Sequence, residues 1–387
     1  MPENRKAVYA AFDIYPSSKG AATHITHMAR GLFRYFGDGA LLTLGNQASA
    51  ETEYDGPHMA CRFIQQIPNY LERAQAFTGF VERTVETMPN LDAVHYRDIW
   101  SALGLLKSAR AYKTIFEVNG LPSIELPYHY PSVSNDLLAR LKTLENRCLA
   151  ESDCIIVPSY IIREALLNRG VDQNKLTVIP NGANPVTEVC APVTSLGEYI
   201  IYFGAVQAWQ GVDVLIKSMS LLRDVSNLKL LICCSSKPRH TKELRRLSRR
   251  LGIESRIIWK YQLDKTQLKR YIQGAAISIA PLSECNRNIA QGCSPLKIFE
   301  SMACGTAVVA SNIPAVEEIL QDGESGMLVK PDRPQELARA IRLLLEYPEY
   351  RSKLANNAHK LIKDKFNWTK IGQQLDAVYA TLNSDPN

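Results

Sequence analysis

Long apolar runs and targeting signals are both missing from this sequence of 387 residues. No apolar run approaches the roughly 18 residues that a membrane-spanning helix needs, so the sequence predicts no transmembrane segment. The opening residues, MPENRKAVYAAF, lack an apolar core and a small-residue cleavage site. We therefore expect no secretory signal peptide, and we expect a cytoplasmic location.

Paired cysteine motifs are also missing. The nine cysteines are an odd number, and no two of them are spaced as CxxC. This pattern argues against a disulfide framework and against a zinc site, and it favours a reducing compartment.

The sequence has little net charge, because 45 Lys and Arg residues exceed 39 Asp and Glu residues by only +6. This net charge is small for a protein that binds nucleic acid, and it permits attraction to acidic membranes or phosphorylated substrates. One segment, KPRHTKELRRLSRR at 237–250, is strongly basic. We interpret it as a solvated helix face, and contact with nucleic acid or a membrane is the less favoured alternative.

What the sequence does contain is a regular alternation of short apolar segments with helical stretches, in a chain of ordinary globular composition. Most of the apolar segments are continuous, as strands covered on both faces are, so the alternation predicts parallel sheets. The predicted strands are 7–12, 40–44, 92–96, 112–118, 153–158, 175–180, 198–203, 228–234, 256–260, 275–281, 306–311 and 326–329.

A segment rich in Gly, Pro, Asn and Thr at 181–197 separates two sets of about six predicted strands. We therefore predict two doubly wound halves of similar size, each with its ligand-binding edge at the carboxyl ends of the strands. Between the first two predicted strands, apolar residues recur at steps of three and four over 24–36, which predicts an amphipathic helix.

Two segments of the first half are candidate sites. Gly20 lies in a turn before a helix start, which suits a phosphate or a sugar hydroxyl, although a plain connection is the alternative. We expect His24 and His27 to face solvent or an interface and not to bind a metal. Glu117 ends a predicted strand and is suited to act on a hydroxyl proton or to orient a sugar. Its alternative is a tight turn in which Asn119 bonds its own backbone and Gly120 has a positive φ.

His95 and Asp98 lie at the end of another predicted strand of the first half, 92–96, and the same two interpretations, a ligand site or a tight turn, apply to them. In the second half, Gly204 and Gly211 flank a loop that enters an apolar-periodic helix, and Gly204 allows a ligand to approach the backbone. Neither GxGxxG nor GxxxxGK[ST] is present, so dehydrogenase-type dinucleotide binding and P-loop chemistry lack support. A plain loop is the alternative.

The segment 286–311, NRNIAQGCSPLKIFESMACGTAVVAS, carries the most information. A helix is predicted to begin near Ser294 and Pro295, and its first amides can bind an anion. Lys297 adds a point charge for a phosphate, and Glu300 lies on the same helix face, where it can accept from a ribose diol. The alternative is an ordinary capped helix with a surface Lys–Glu pair.

Five segments together resemble the retaining nucleotide-sugar glycosyltransferases of family 4, which have the GT-B fold. They are VPSYIIREAL (157–166), VIPNGAN (178–184), FGAVQAWQGVDVLI (203–216), SPLKIFESMACGTAVVAS (294–311) and EEILQDGESGMLV (317–329). The resemblance covers nearly the whole chain. It implies an α/β protein of two Rossmann-like, doubly wound domains that face each other across a cleft. Residues 1–184 with the C-terminal helix 370–387 would bind the acceptor, and 185–369 would bind the nucleotide-sugar.

The resemblance also implies roles for single residues. Glu300 matches the second Glu of the family's Glu-x7-Glu signature, which contacts the ribose. Gly20 matches the loop glycine near the transferred sugar, and Gly204 matches the glycine that opens the pyrophosphate loop. The loop on the donor's phosphates and sugar would be Ser294, Pro295, Leu296 and Lys297, and the base would lie against Tyr261 and Gln262.

The sequence departs from the family at several of these positions. The first Glu of the signature falls at Gly292, and the family's pyrophosphate Arg and Lys fall near Ala205 and Gln210. Lys297, with Arg287, would then supply the positive charge for the phosphates. Glu117 stands where many members carry a histidine at the first-domain strand end, and we expect it to position the sugar or the acceptor.

The resemblance therefore implies a retaining hexosyltransferase. Its donor would be a UDP-hexose such as UDP-glucose, and its acceptor a saccharide or a lipid-linked saccharide in polysaccharide biosynthesis. We expect no metal, no cofactor and no nucleic-acid partner, and the charge permits peripheral association with the inner face of a membrane. The alternatives are a catalytically weakened sugar-nucleotide-binding scaffold, a GDP-mannose-dependent transferase and an epimerase of UDP-sugars.

Overall fold

The computed structural model describes residues 6–17, 19–45, 52–55, 58–64, 67–106, 110–188 and 196–384. The chain divides into two compact units. The first unit contains Met1–Ser17, Ala21–Pro180 and Ile371–Asn387, and the second contains Ser18–Gly20 and Asn181–Lys370. Of the predicted boundary segment 181–197, residues 189–195 lie outside the described part of the chain.

The first unit is built on a sheet of eight strands. In chain order they are β1 (Lys6–Ile14), β2 (Gly39–Gly45), β3 (Thr52–Asp55), β4 (His58–Ile64), β5 (Leu91–Tyr96), β6 (Lys113–Glu117), β7 (Cys154–Val157) and β8 (Leu176–Val178). Their spatial order is β3-β4-β2-β1-β5-β6-β7-β8, and all neighbours are parallel except the antiparallel pair β3 and β4. The strand order reverses between β1 and β5, where the carboxyl ends of an α/β sheet form a crevice.

Six helices connect these strands: α1 (Gly20–Phe36), α2 (Tyr70–Glu86), α3 (Ile99–Leu103), α4 (Pro122–His129), α5 (Asn135–Glu151) and α6 (Tyr160–Leu167). The apolar stripe predicted over 24–36 is confirmed, because Ile25, Met28 and Leu32 of α1 are almost fully buried. The predicted strands of this half are confirmed too. The pair β3 and β4 was not predicted, since TEYD has no apolar run to mark it.

The second unit is built on six parallel strands: β9 (Tyr199–Gly204), β10 (Lys229–Cys234), β11 (Ile257–Tyr261), β12 (Ile277–Ala280), β13 (Val308–Ser311) and β14 (Met327–Val329). Their spatial order is β11-β10-β9-β12-β13-β14. Counted from β9, this is the 3-2-1-4-5-6 order of dinucleotide-binding folds, which place their ligand where the order reverses. The reversal here lies between β9 and β12.

From residue 196 to residue 384 the structure describes eight further α-helices: α7 (Val212–Ser220), α8 (Lys242–Arg250), α9 (Lys265–Gln273), α10 (Leu296–Ala303), α11 (Pro314–Glu317), α12 (Pro334–Glu346), α13 (Pro348–Asp364) and α14 (Trp368–Ser384). From Ile371 onward, α14 belongs to the first unit. There it packs on α1: a Cβ on Gly31 would lie 2.7 Å from Leu375 Cδ2, and Arg34 Nη2 donates to Asp376 Oδ1 at 2.8 Å.

Gly39, at the start of β2, provides a test of the packing in the first unit. A Cβ there would overlap the carbonyl oxygen of Ala7 on β1 and the ring of Phe33 on α1. We expect Gly39→Ala to lower the free energy of unfolding by about 1–3 kcal/mol, as overpacked cores do. Urea unfolding followed by circular dichroism measures the change.

Gly79→Ala is the matched control. Gly79 lies inside α2, and the nearest atom to a Cβ there is the flexible Nη1 of Arg83 at 3.2 Å. Because alanine favours helix over glycine by up to about 1 kcal/mol, this variant should be as stable as the original or more stable. Equal stability of both variants would contradict the packing described for Gly39.

Candidate functional site

Two loops at the carboxyl edge of the second sheet are joined where the strand order reverses. One follows β9 and the other follows β12. Asn288, fully buried, donates from Nδ2 to the carbonyl of Trp209 at 2.9 Å and to that of Ser283 at 2.8 Å. The backbone N–H of Ser283 also donates to the carbonyl of Trp209, at 3.1 Å. These bonds hold the two loops together across the reversal.

Two glycines shape the loop after β9. Gly211 has a φ of 63°, and a Cβ there would overlap the carbonyl oxygen of Pro281. Gly204, at the end of β9, has a φ of 120°, and a Cβ there would lie 3.7 Å from Lys297 Cε. Both positions therefore favour glycine, and Gly204 leaves an open backbone beside the lysine.

Lys297, in the first turn of α10, is held by neutral oxygen atoms. Its Nζ donates to the hydroxyl of Tyr202 at 3.1 Å and to Oε1 of Gln210, and it lies 4.2 Å from the centre of the Tyr202 ring. Burial lowers the pKa of Lys297 to about 7. An anion bound beside this amine would supply the negative charge that its present partners lack.

The start of α10 adds main-chain donors to the same place. Pro295 precedes the helix, and the carbonyl of Ser294 accepts from Nδ2 of the buried Asn181 at 2.9 Å. The first amides of any helix have no acceptor within the helix, so the start of α10, at Leu296 and Lys297, is suited to an anion. The predicted helix start near Ser294 and Pro295 is confirmed.

Gly292 lies in the loop that leads to α10, two residues before Ser294. Its φ of 91° and ψ of 172° lie in a region that is essentially restricted to glycine. A glutamate at this position would have to adopt a strained backbone. The backbone and the missing first glutamate are therefore consistent with each other.

Glu300 lies one turn after Lys297 on α10. Burial raises the pKa of Glu300 to about 7, while Lys265 and Lys297 act in the opposite direction. Near neutral pH its carboxyl group therefore exists in both protonation states. Such a group both donates to and accepts from the hydroxyls of a diol.

The other residues predicted to bind the donor are Arg287, Tyr261 and Gln262. The guanidinium of Arg287 lies 5.0 Å from the centre of the Trp209 ring, and its Nη1 donates to Asn288 Oδ1 at 3.1 Å. Tyr261 ends β11, two strands away from β9, and its hydroxyl accepts from Arg245 Nη2 at 2.9 Å. Gln262 follows with a φ of 48°.

Gly20 groups with the second unit although it begins α1. A Cβ on Gly20 would lie 3.1 Å from Cδ1 of Leu296. Gly20 and the start of α10 are thus neighbours within the second unit.

Glu117, at the end of β6 in the first unit, is buried in a polar network. Its carboxylate accepts from the Tyr9 hydroxyl at 2.8 Å and from the Asn119 side chain, and it pairs with His24 Nε2 at 2.6 Å and His95 Nε2 at 3.2 Å. Burial alone would raise the pKa of Glu117, but the two histidines and Arg97 hold it well below its usual range. The carboxylate is 1% exposed and is therefore closed to solvent.

Three expectations for this region are wrong. His24 does not face solvent: it is 3% exposed because it pairs with Glu117. Asn119 donates to Glu117 rather than bonding its own backbone, and Gly120 does not have a positive φ. The nearest atoms to a Cβ on Gly120 belong to the carboxylate at the end of the flexible Glu125 side chain.

The sequence also did not reveal the other partners in this network. His95 Nδ1 lies 2.9 Å from the hydroxyl of Tyr379, which is buried on α14 within the first unit. His95 and Tyr379 are 284 residues apart in the chain, so no local spacing connects them. Asp98 caps α3 through the Ser101 amide at 2.8 Å, and burial raises its pKa to about 6.

The part of the chain that the structure describes contains no group of His, Cys, Asp or Glu residues arranged to hold a metal ion. None of its helices combines the length and the apolar character needed to cross a membrane.

Comparisons with known proteins agree with this architecture. Residues 18–186 match the family model described as Glycosyltransferase Family 4, and residues 195–361 match Glycosyl transferases group 1. An uncharacterized glycosyltransferase of Methanocaldococcus jannaschii is 23% identical over 378 residues, which cover 93% of this chain and 94% of that protein. A D-inositol 3-phosphate glycosyltransferase of Xylanimonas cellulosilytica is 26% identical over 252 residues, 61% of this chain, and the match spans only 58% of that relative.

Two solved structures show the same fold. A sucrose-phosphate synthase from Thermosynechococcus elongatus superposes with a TM-score of 0.80 at 21% identity, over 98% of this chain and 100% of that one. HepE of Anabaena, in complex with UDP-glucose, superposes with a TM-score of 0.72 at 17% identity, with the same coverage of 98% and 100%. These likenesses confirm the predicted α/β fold with two Rossmann-like units.

The Glu117 network predicts a pH-dependent stability. We expect Glu117→Gln to lower the free energy of unfolding at pH 7 by about 1.5–3 kcal/mol, the range for hydrogen bonds to charged groups. Because the pKa of Glu117 is depressed by folding, its contribution is complete above its ordinary value and is lost as the pH falls. The difference in the free energy of unfolding between the original protein and Glu117→Gln should therefore become smaller below about pH 4.5. Urea unfolding at several pH values measures it.

Glu151→Gln is the control for this prediction. Glu151 forms an exposed pair with Arg147 in the same unit, at 2.8 Å, so its substitution should change stability little at any pH. A difference between the original protein and Glu117→Gln that stays constant from neutral to acidic pH would contradict the ion-pair assignment.

Proposed function

Because the family matches and the structural neighbours support a glycosyltransferase with the GT-B fold, we propose that this chain transfers a hexose from a nucleoside-diphosphate sugar with retention of the anomeric configuration. UDP-glucose or a similar UDP-hexose is the proposed donor. The observation that carries the proposal is Lys297, whose amine has only neutral partners and lies beside Gly204 at the reversal of the strand order. A solved structure with this fold, HepE, contains UDP-glucose.

In this proposal the diphosphate binds between Gly204 and the start of α10. The Lys297 ammonium and the first amides of α10 neutralise its charge, and Arg287 supplies a second cation. The open backbone at Gly204 allows the phosphates to approach closely. Glu300 binds the ribose hydroxyls, and the base lies toward Tyr261 and Gln262.

The same positive groups that bind the diphosphate would also assist the transfer step. As the bond between the sugar and the diphosphate breaks, negative charge builds up on the leaving phosphate, where Lys297 and the α10 amides already point. The acceptor hydroxyl attacks from the face that the leaving group departs, and the leaving phosphate takes the acceptor's proton. No protein base, metal ion or cofactor is needed for this step.

For Glu117 we propose a role within the first unit in place of direct contact with the sugar or the acceptor. Since the carboxylate is enclosed by Tyr9, His24, His95 and Asn119, it acts as a positioning residue that fixes the two imidazoles. We propose a saccharide or lipid-linked saccharide as acceptor, in polysaccharide biosynthesis, with the protein associated peripherally with the cytoplasmic face of a membrane.

Substitution of Lys297 tests the proposal. We expect Lys297→Ala to lower kcat/KM for the UDP-hexose by about 10²-fold or more, as loss of a donor to the developing charge does. UDP release is measured with a panel of saccharide and lipid-linked acceptors, and proton NMR of the product gives its anomeric configuration. Lys217→Ala is the control, because Lys217 is exposed on α7 and pairs with Asp213.

The outcomes separate the alternatives. Unchanged activity in Lys297→Ala would remove Lys297 from the mechanism, and an inverted product would contradict retention. Binding of UDP-sugars without transfer or hydrolysis would favour a scaffold. Isomerisation of the sugar in the absence of an acceptor would favour an epimerase. Turnover of GDP-mannose alone would favour the mannosyltransferase alternative.

The pKa of Lys297 predicts how UDP binding depends on pH. With a pKa of about 7, the amine is mostly charged at pH 6 and mostly neutral at pH 8.5. We therefore expect the Kd for UDP to rise by up to about 30-fold over this interval. Isothermal titration calorimetry measures it.

Two variants control for the ionisation of UDP itself. Lys297→Arg keeps its charge at every pH, so its Kd should not rise over the interval. Gln210→Glu places a carboxylate beside the Lys297 amine. This charge should raise the pKa of Lys297, so that the Kd for UDP begins to rise only at higher pH. Identical pH profiles for the original protein and Lys297→Arg would contradict the assignment.

A further inference from the structure

The excess positive charge of the chain is concentrated in one segment of the second unit. Residues 237–250 contain seven Lys or Arg residues and one acidic residue, Glu243. Their difference of +6 equals the formal net charge of the whole protein, so the rest of the chain is balanced. We call the exposed cationic side chains of this segment the basic face: Lys237, Arg239, Lys242, Arg246, Arg249 and Arg250.

The fold turns these cations outward. The segment makes one turn at Pro238–Thr241 and then forms α8, whose Leu244 and Leu247 pack against the core of the second unit. Arg245 is not part of the basic face, because its guanidinium lies 5.2 Å from the centre of the Trp259 ring and donates to Tyr261. The apolar side of α8 is thus occupied within the fold, and the cations remain at the surface.

Few acidic groups neutralise the basic face. Arg246 pairs with Glu243 at 2.7 Å and Arg249 with Glu254 at 3.6 Å. Lys237, Lys242 and Arg250 form no ion pair with any residue in the described part of the chain. Lys242, Arg246 and Arg250 follow one another at steps of four, and like charges at this spacing destabilise an isolated helix. An external anionic surface would relieve this repulsion.

We propose that the basic face docks the protein on the anionic lipid surface of a membrane. Charge complementarity carries the choice of partner, because helices with several Lys and Arg residues bind acidic headgroups. A single outward-facing helix suits a flat surface. Single-stranded nucleic acid is bound with the help of aromatic rings on which the bases stack, and residues 237–250 contain no Phe, Tyr or Trp.

The position of the basic face fits the proposed function, on which its biological purpose rests. The chain leaves β10 at its carboxyl end, where the Ser235 N–H donates to the Gly204 carbonyl at 3.0 Å. Lys237 follows two residues later. The first cation of the basic face therefore begins at the same edge of the second sheet as Gly204 and Lys297, where a lipid-linked acceptor would meet the donor.

Vesicle sedimentation of the full chain tests the proposal. Vesicles of phosphatidylcholine mixed with phosphatidylglycerol should bind the protein at low salt and release it at high salt, and pure phosphatidylcholine should not bind it. The triple variant Lys237→Glu, Lys242→Glu, Arg250→Glu should bind the anionic vesicles at least about tenfold more weakly. Binding of the triple variant as tight as that of the original protein would overturn the proposal.

A second triple variant separates the basic face from net charge in general. Lys353→Glu, Lys360→Glu, Lys363→Glu makes the same change of charge at exposed positions of α13 and should leave vesicle binding within about twofold. An equal loss in both triple variants would overturn the assignment to α8. Tighter binding to a single-stranded oligonucleotide than to the vesicles, at the same salt, would overturn the choice of a membrane.

UDP binding by calorimetry keeps the two proposals apart. Both triple variants should bind UDP as the original protein does, which shows that they are folded. If the protein binds vesicles but neither binds UDP nor transfers sugar, the proposed function is wrong and the proposal of a membrane-docking surface still holds.

Discussion

The close packing of two loops across the reversal of the second sheet is the constraint on which the donor site depends. Gly211 lies so near the carbonyl of Pro281 that no side chain fits between them, and the buried Asn288 connects both loops by hydrogen bonds. This packing fixes Gln210, which in turn holds the Lys297 amine beside Gly204. A cation confined in this way needs little reorganisation when a diphosphate arrives, which is the condition for strong electrostatic stabilisation.

The buried carboxylate of Glu117 in the first unit and the partly buried amine of Lys297 in the second are compensated to different extents. In the first, Glu117 is satisfied by four side chains and is closed to solvent, so its charge serves the structure and positions its neighbours. In the second, the Lys297 amine contacts only neutral oxygens, so its charge is incompletely compensated. Burial of an unpaired charge is costly, and a ligand of opposite charge removes that cost. The contrast distinguishes a structural network from a binding site.

Most of the fold could be predicted because parallel strands are marked by continuous apolar runs, which are local. The strands on both sides of β9, the helix α1 and the start of α10 follow from such patterns. The strands β3 and β4 could not be predicted, since an edge pair needs no buried run. His24 was misjudged for a related reason: its helix position allows solvent exposure, and only its distant partner Glu117 explains its burial.

Local sequence patterns were sufficient to predict the two α/β halves, the glycines at the end of β9 and before α7, and the helix that carries Lys297 and Glu300. These features depend on the spacing of residues that are close together in the sequence. The burial of Glu117 and the contact of Tyr379 of α14 with His95 became visible only after the chain had folded. Such outcomes depend on which side chains meet after distant segments pack, and on whether a buried charge finds a partner there.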